Sequence, residues 1–131
     1  MAVEPVVICL SRSGEKMAWR VAEILGVALH GRLERVDRAH VYFENALDHI
    51  RMLFASGTPV VGVCAAGIMV RAVAPVLNDK TTEPPVIAVP DDGSTVVPLL
   101  GGHRGANRLA RQIAEGLASH AAVTTAGDLA M

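Results

Sequence analysis

A glycine-rich segment late in the chain carries the residues best suited to chemistry. Residues 101–107 read Gly-Gly-His-Arg-Gly-Ala-Asn and lead directly into a helical pattern. Glycines let backbone N–H groups approach a ligand, and a helix start adds unpaired N–H groups and partial positive charge. Arg104 can bind a carboxylate or phosphate through two hydrogen bonds, and His103 can exchange a proton near neutral pH. The segment predicts an anion-binding loop with a candidate acid or base; a glycine turn with solvated side chains fits the spacing equally well.

A second small-residue turn, at residues 65–67, also precedes a helical pattern, and Arg71 follows it by four residues. Ligands of open parallel sheets bind at the carboxyl ends of the strands. The turns that we expect at that edge are residues 11–14, 65–67 and 101–107. One concavity there would be bordered by Gly67, Arg71, His103 and Arg104. The alternative for the second turn is an ordinary strand-to-helix connection with a surface arginine.

Strands alternating with helices must position these turns. Continuous apolar runs at residues 6–10 and 59–64 predict central buried strands, each followed by a helix. Residues 27–33 suggest a weaker strand near an edge, whereas the charged residues 34–42 are interpreted as loop. A final short strand is predicted at residues 121–125.

The alternation is interrupted once. Apolar runs at residues 85–89 and 95–99 flank Asp92-Gly93, a strong β-hairpin signal. The whole pattern predicts an α/β fold: a mostly parallel, Rossmann-like or flavodoxin-like three-layer sandwich with one hairpin, formed by residues 1–131 as a single domain.

Composition excludes several function classes. The net charge is -1 and only 3% of the residues are aromatic, so the sequence argues against nucleic-acid binding. No apolar run approaches the ~18 residues of a membrane span, and the N-terminus does not resemble a signal peptide, so we expect a cytoplasmic location without membrane contact. Cys9 and Cys64 lie in predicted strands, where reduced, buried thiols are the usual state and a metal role is disfavoured.

Four segments in order carry a resemblance to a known family. They are residues 67–75 (Gly-Ile-Met-Val-Arg-Ala-Val-Ala-Pro), 79–82 (Asp-Lys-Thr-Thr), 99–107 (Leu-Leu-Gly-Gly-His-Arg-Gly-Ala-Asn) and 123–126 (Val-Thr-Thr-Ala). This order resembles the N-terminal domain of the cobalt-precorrin-5A hydrolases, the CbiG family. Two departures stand out: Gly101 replaces the usual Ser, and one residue fewer separates His103 from Asn107.

The resemblance implies a substrate and a reaction. The family opens a δ-lactone on a corrin-type macrocycle and releases acetaldehyde on the anaerobic route to cobalamin. The cobalt belongs to the substrate, so no resident cofactor or metal site is expected. The macrocycle carries many acetate and propionate groups, which basic side chains and helix starts can bind. His103 is the implied catalytic acid or base. The implied substrate-binding residues are Gly67, Arg71, Lys80, Gly101, Gly102, Arg104, Gly105, Asn107, Thr124 and Thr125.

Three functional alternatives stay open: an enzyme domain of cobalamin synthesis, a non-catalytic corrinoid-binding module that acts with partner domains, and an unrelated anion-binding α/β domain. Family members typically continue into a middle and a C-terminal domain, so other cobalamin-biosynthesis enzymes are expected partners, in one chain or as separate subunits. We also expect that so small a domain can form a homodimer. The remaining histidines, His30, His40, His49 and His120, are expected at the surface.

Overall fold

One seven-stranded sheet, covered by helices on both faces, makes up the part of the chain that the computed structural model describes, residues 3–125. The strands are β1 (Val6–Cys9), β2 (Leu29–Arg32), β3 (Val41–Phe43), β4 (Val60–Val63), β5 (Val86–Val89), β6 (Thr95–Leu100) and β7 (His120–Ala121). The helices are α1 (Arg12–Leu25), α2 (Ala46–Ala55), α3 (Ala66–Val73) and α4 (Ala106–Leu117). Short 3-10 turns occupy Ala74–Val76 and Gly102–Arg104.

The strand order is β3-β2-β1-β4-β5-β6-β7. Neighbouring strands are parallel except β5 and β6, which form the antiparallel hairpin. The first six strands follow the Rossmann order 3-2-1-4-5-6. The predicted α/β class, the mostly parallel sheet and the single hairpin are confirmed. The sequence left the Rossmann-like and flavodoxin-like topologies open, and the observed strand order is the Rossmann-like one.

Two helices cover each face of the sheet. Helices α1 and α4 pack on one face, against residues such as Val7, Val61 and Ile87, and α2 and α3 pack on the other. Strands β4 and β5 are buried along their whole length, which is why their sequences are continuous apolar runs. Small branched side chains let the helices lie close to the sheet.

Several local predictions need correction. Residues 34–42 are not all loop, because Val41 and Tyr42 belong to β3, the true edge strand. Strand β2 is therefore internal, paired on both sides. The last strand comprises only His120–Ala121, because it pairs with just the first two residues of β6. Strands this short carry little periodicity, so their sequence signal is weak.

The hairpin reverses the chain, and this reversal determines at which edge of the sheet the loop after β6 lies. Strand β6 runs against β1 to β5, so its last residue, Leu100, pairs with the first residue of β5, Val86. We call the edge at the carboxyl ends of β1 to β5 the upper edge and the opposite one the lower edge. Residues 101–107 follow Leu100 and therefore lie at the lower edge.

Candidate functional site

The predicted anion-binding loop is built around two glycines in left-handed conformation. Gly101 has φ +77° and Gly105 has φ +105°, and the carbonyl of Gly101 accepts hydrogen bonds from the N–H groups of Arg104 (2.8 Å) and Ala106 (3.0 Å). A Cβ added at Gly101 would lie 2.9 Å from the Cα of Pro85. A serine, the residue that the resemblance leads one to expect at this position, would clash there.

Asn107 connects this loop to the segment after β7. It is the second residue of α4, is buried, and donates from Nδ2 to the hydroxyl oxygen of Thr125 at 2.6 Å. Gly102 completes the contact, since a Cβ there would lie 2.8 Å from Thr125 Cγ2. The side chain of Asn107 thus ties the loop to Thr125, the residue that follows Thr124, an arrangement that sequence spacing did not predict.

Arg104 reaches the other side of the lower edge. Its Nε donates to the backbone carbonyl of Lys80 at 3.3 Å. The carboxylate of Asp79 accepts from the hydroxyl and N–H of Thr81, which lower the pKa of Asp79, and the charge of Arg104 adds to that lowering. Arg104 and the loop of residues 78–83 therefore form one surface, with Lys80 presented beside it.

An open depression of about 250 Å³ lies against the loop. It is lined by Gly102, His103, Gly105, Asn107, Arg108 and Arg111. Arg108 and Arg111, exposed on the first turns of α4, were missed by the sequence analysis. The spacing of these two arginines was the available signal, because residues three apart are neighbours on a helix surface. Arg104 precedes α4, in the 3-10 turn Gly102–Arg104. Two guanidinium groups and a histidine together suit a multivalent anion.

The predicted shared concavity is wrong. Gly67 lies in the first turn of α3, just after the carboxyl end of β4, and so at the upper edge. His103 and Arg104 follow the carboxyl end of β6, which is at the lower edge because β6 is antiparallel. Arg71 lies farther along α3, on the opposite face of the sheet from α4. Neither Gly67 nor Arg71 belongs to the loop site as the sequence analysis placed it.

The upper edge is where a Rossmann-type sheet binds ligands. In this chain the carboxylate of Asp91 occupies it. Asp91, from the β5–β6 turn, accepts a 2.7 Å hydrogen bond from Ser13, and its Oδ1 would lie 2.7 Å from a Cβ at Gly14. A carboxylate at the start of α1 supplies the negative charge that this helix end favours. The nearby depression is lined by Asp91 and Asp92 as well, so this edge disfavours an anionic ligand.

The buried thiols beneath the upper edge are also unsuited to catalysis. Burial raises the pKa of Cys9 to about 11 and that of Cys64 to about 12. Both thiols are therefore protonated at neutral pH, and the thiolate is the reactive form. Within residues 3–125, no group of three or more His, Cys, Asp or Glu side chains is placed to bind a metal ion.

Two of the histidines expected at the surface are partly buried, and that expectation is wrong for them. His30 Nδ1 and His49 Nε2 are 2.8 Å apart, and the ring of His49 stacks on Phe43 with centroids 4.5 Å apart. Burial lowers the pKa of His30 to about 4, helped by the neighbouring His49, and burial also lowers the pKa of His49. These rings are neutral packing elements between β2 and α2, far in chain position from the loop.

His103 has a different setting. It is exposed on the 3-10 turn Gly102–Arg104, at the rim of the depression. An exposed imidazole at a rim can meet a bound ligand and exchange protons with water.

Comparisons with known proteins point in one direction. A family model described as cobalamin synthesis G N-terminal matches residues 48–128. The chain is 31% identical over 131 residues to a cobalt-precorrin-5A hydrolase of Priestia megaterium, with 94% of this chain and 35% of the relative covered. It is 32% identical over 123 residues to the enzyme of that name from Salmonella typhimurium, covering 92% of the chain and 35% of the relative.

A solved structure supports the same fold. The crystal structure of a cobalamin biosynthesis protein G homolog from Sulfolobus solfataricus superimposes with a TM-score of 0.72 at 22% identity, covering 98% of this chain and 40% of that one. The chain spans about a third of the length of the curated relatives. Within residues 3–125, no helix has the length and apolar character that crossing a membrane requires.

Proposed function

The chain belongs to the cobalamin synthesis G N-terminal family, and from this premise we propose that it binds a corrinoid intermediate of cobalamin biosynthesis at its lower edge, as part of a cobalt-precorrin-5A hydrolase-type activity. The substrate's cobalt is then the only metal involved, and the protein contributes no cofactor. The curated relatives are about three times as long as this chain, and we place the lactone-opening step of the whole protein's activity in this domain.

One observation carries the proposal. The lower edge brings together family-motif residues that are distant in sequence: Arg104 contacts Lys80, and Asn107 contacts Thr125. Residues 101–105 lie between these contacts and open onto a depression rich in guanidinium groups. A macrocycle with acetate and propionate side chains offers the negative charge that such a surface binds through paired hydrogen bonds.

His103 is the group of this surface that we propose takes part in lactone opening. Water adds to the acyl carbon, the ring C–O bond breaks, and the departing oxygen takes up a proton. An imidazole at the rim can accept the proton of the attacking water and return it to that oxygen. The N–H groups of Gly102 and His103 would stabilise the negative charge on the acyl oxygen. Acetaldehyde loss follows when the new hydroxyl is deprotonated and its carbon–carbon bond to the macrocycle breaks, leaving the electron pair on the macrocycle, which is then protonated.

The second candidate function is a non-catalytic corrinoid-binding module. It is favoured by the exposure of His103 and the openness of the depression, since hydrolytic sites usually control water access. In that case the lower edge holds the substrate, and another domain supplies the acid and base.

Turnover and binding separate the two functions. Cobyrinic acid, a corrinoid with free side-chain carboxylates, is titrated into the chain at low salt, and lactone opening of cobalt-precorrin-5A is followed by mass spectrometry. We expect the wild-type chain to bind cobyrinic acid with an affinity that falls as salt rises. If His103 is an acid or base, His103→Ala keeps the affinity and lowers turnover by about a hundredfold.

The control is His120→Ala, which removes an exposed histidine of β7. It should change neither affinity nor turnover. Binding without turnover by the wild-type chain supports the binding module, with the chemistry in another domain. A folded chain with no affinity for cobyrinic acid at low salt contradicts both functions.

A further inference from the structure

We propose that Arg108 and Arg111, which neither the sequence pattern nor the family match assigns, form a carboxylate-binding arginine pair that recognises the rim of the macrocycle. The inference rests on the proposed function and specifies which groups of the ligand meet which groups of the protein. In this inference the domain binds the side-chain carboxylates of the macrocycle and does not enclose the whole ring.

The position of the pair is the first support. Arg108 and Arg111 are three residues apart on α4, so they are neighbours on the helix surface, and both line the depression beside His103. Both side chains are exposed. Two guanidinium groups on adjacent turns can each bind one carboxylate through two parallel hydrogen bonds.

The charge environment is the second support. Helix starts favour acidic side chains, yet the first turn of α4 contains no Asp or Glu and has Arg108 instead. The ion pairs formed within residues 3–125 are Arg12–Asp37 and Arg51–Asp48, so neither arginine of the pair has an acidic partner there. Glu115, one turn beyond Arg111, does not pair with it among these residues.

The ligand-free domain is therefore less stable than it would be with a neutral or acidic side chain in place of Arg108. Like charges three residues apart repel, and a cation opposes the partial positive charge of the helix start. A bound anion removes both costs. Local destabilisation without a structural benefit is characteristic of sites kept for binding.

Size decides which part of the ligand is bound. The depression is about 250 Å³ and open, smaller than the ~300–1,000 Å³ typical of pockets that enclose a drug-sized ligand. It can receive the acetate or propionate groups at one side of a macrocycle, but it cannot enclose the ring. The charged groups around the rim therefore make the contacts with the arginine pair.

The test measures affinity and stability together. Arg108→Gln, Arg111→Gln and the double variant are titrated with cobyrinic acid, with its fully methyl-esterified form, and with tricarballylate, a small tricarboxylate. Arg20→Gln, which replaces an exposed arginine on α1, is the matched control. We expect each single change to weaken cobyrinic acid binding about tenfold and the double change about a hundredfold, with no effect on the already weak binding of the ester.

Thermal unfolding supplies a measurement that a purely structural role would not reproduce. Without ligand, Arg108→Gln should unfold at a higher temperature than wild type, because the repulsion is relieved. With tricarballylate, wild type and Arg20→Gln should gain stability, and the double variant should gain none.

The outcomes distinguish this inference from the proposed function. If the double variant binds cobyrinic acid as tightly as wild type, the arginine pair is overturned while corrinoid binding stands. If wild type is stabilised by tricarballylate through the pair but does not bind cobyrinic acid, the anion site stands and the proposed function fails. Equal affinity for cobyrinic acid and its ester also overturns the pair.

Discussion

At the scale of single residues, the conformation of Gly101 requires a glycine at this position. Its φ of +77° lies in the left-handed region, and its α-carbon faces the backbone of Pro85. Only a residue without a Cβ fits both constraints.

Gly101→Ala should lower the free energy of unfolding by about 2–3 kcal/mol, because the left-handed backbone and the contact with Pro85 both oppose a side chain. Urea denaturation measures the change. Gly67→Ala is the control: among the described residues, a Cβ there meets no heavy atom within 4 Å, and alanine favours the helix, so stability should hold or rise slightly. Equal losses in the two variants would contradict this account of Gly101.

The histidine pair predicts a loss of stability in mild acid. The pKa of His30 is about 4 in the folded chain and about 6.5 when unfolded. Below pH 6.5 the unfolded chain therefore binds a proton at His30 that the folded chain does not bind. The free energy of unfolding falls as the pH is lowered from 6.5 to about 4.

His30→Gln removes this titration. We expect wild type to lose about 1 kcal/mol more than the variant between pH 7 and pH 5, a modest figure because the ring is only half-buried. Urea denaturation at the two pH values measures the difference. His120→Gln, at an exposed position, should keep the wild-type pH dependence. A His30→Gln slope equal to that of wild type would show that the pair does not titrate as inferred.

At the scale of elements, the direction of β6 decides where the site lies. The sequence predicts the hairpin correctly from Asp92-Gly93, and Gly93 adopts the expected left-handed conformation. The same hairpin reverses the chain, so the loop after β6 cannot share an edge with the loop after β4. Applied consistently, the sequence prediction of an antiparallel pair would already have excluded a common concavity for Gly67 and His103.

The start of α4 is anchored by a side chain rather than by helix propensity. Asn107→Ala should lower the free energy of unfolding by about 1–3 kcal/mol, because it removes a buried amide that donates to Thr125. Thr125→Val and the double variant complete a double-mutant cycle in urea. We expect a coupling of about 1 kcal/mol between the two sites. Strict additivity would mean that the contact contributes nothing.

At the scale of the whole molecule, the central strands are protected by helices on both sides. Cys9 is fully buried in β1, and Cys64 follows β4 with 8% exposure. Buried, protonated thiols react only when the sheet opens. Labelling with a thiol reagent at pH 8 should therefore be slow and should accelerate in parallel with global unfolding in urea. Fast labelling in the absence of denaturant would show that one edge of the sheet opens on its own.

The oligomeric state stays a prediction. Exposed apolar side chains occur on the outer face of α2 and α3, at Met52 and Val70, and at the β3 edge, at Val41 and Tyr42. These are surfaces that a second copy or a further domain of the longer relatives could cover.

The sequence by itself determined the fold class, the buried strands, the hairpin and the glycine loop, because each depends on patterns within a few neighbouring residues. It also identified the family through motifs whose order survives without a structure. The contacts of Asn107 with Thr125 and of Arg104 with Lys80, by contrast, join positions 18 and 24 residues apart. Which loops share an edge, and which arginines line one depression, was decided only by the tertiary structure, because strand direction and pairing arise from packing between distant segments.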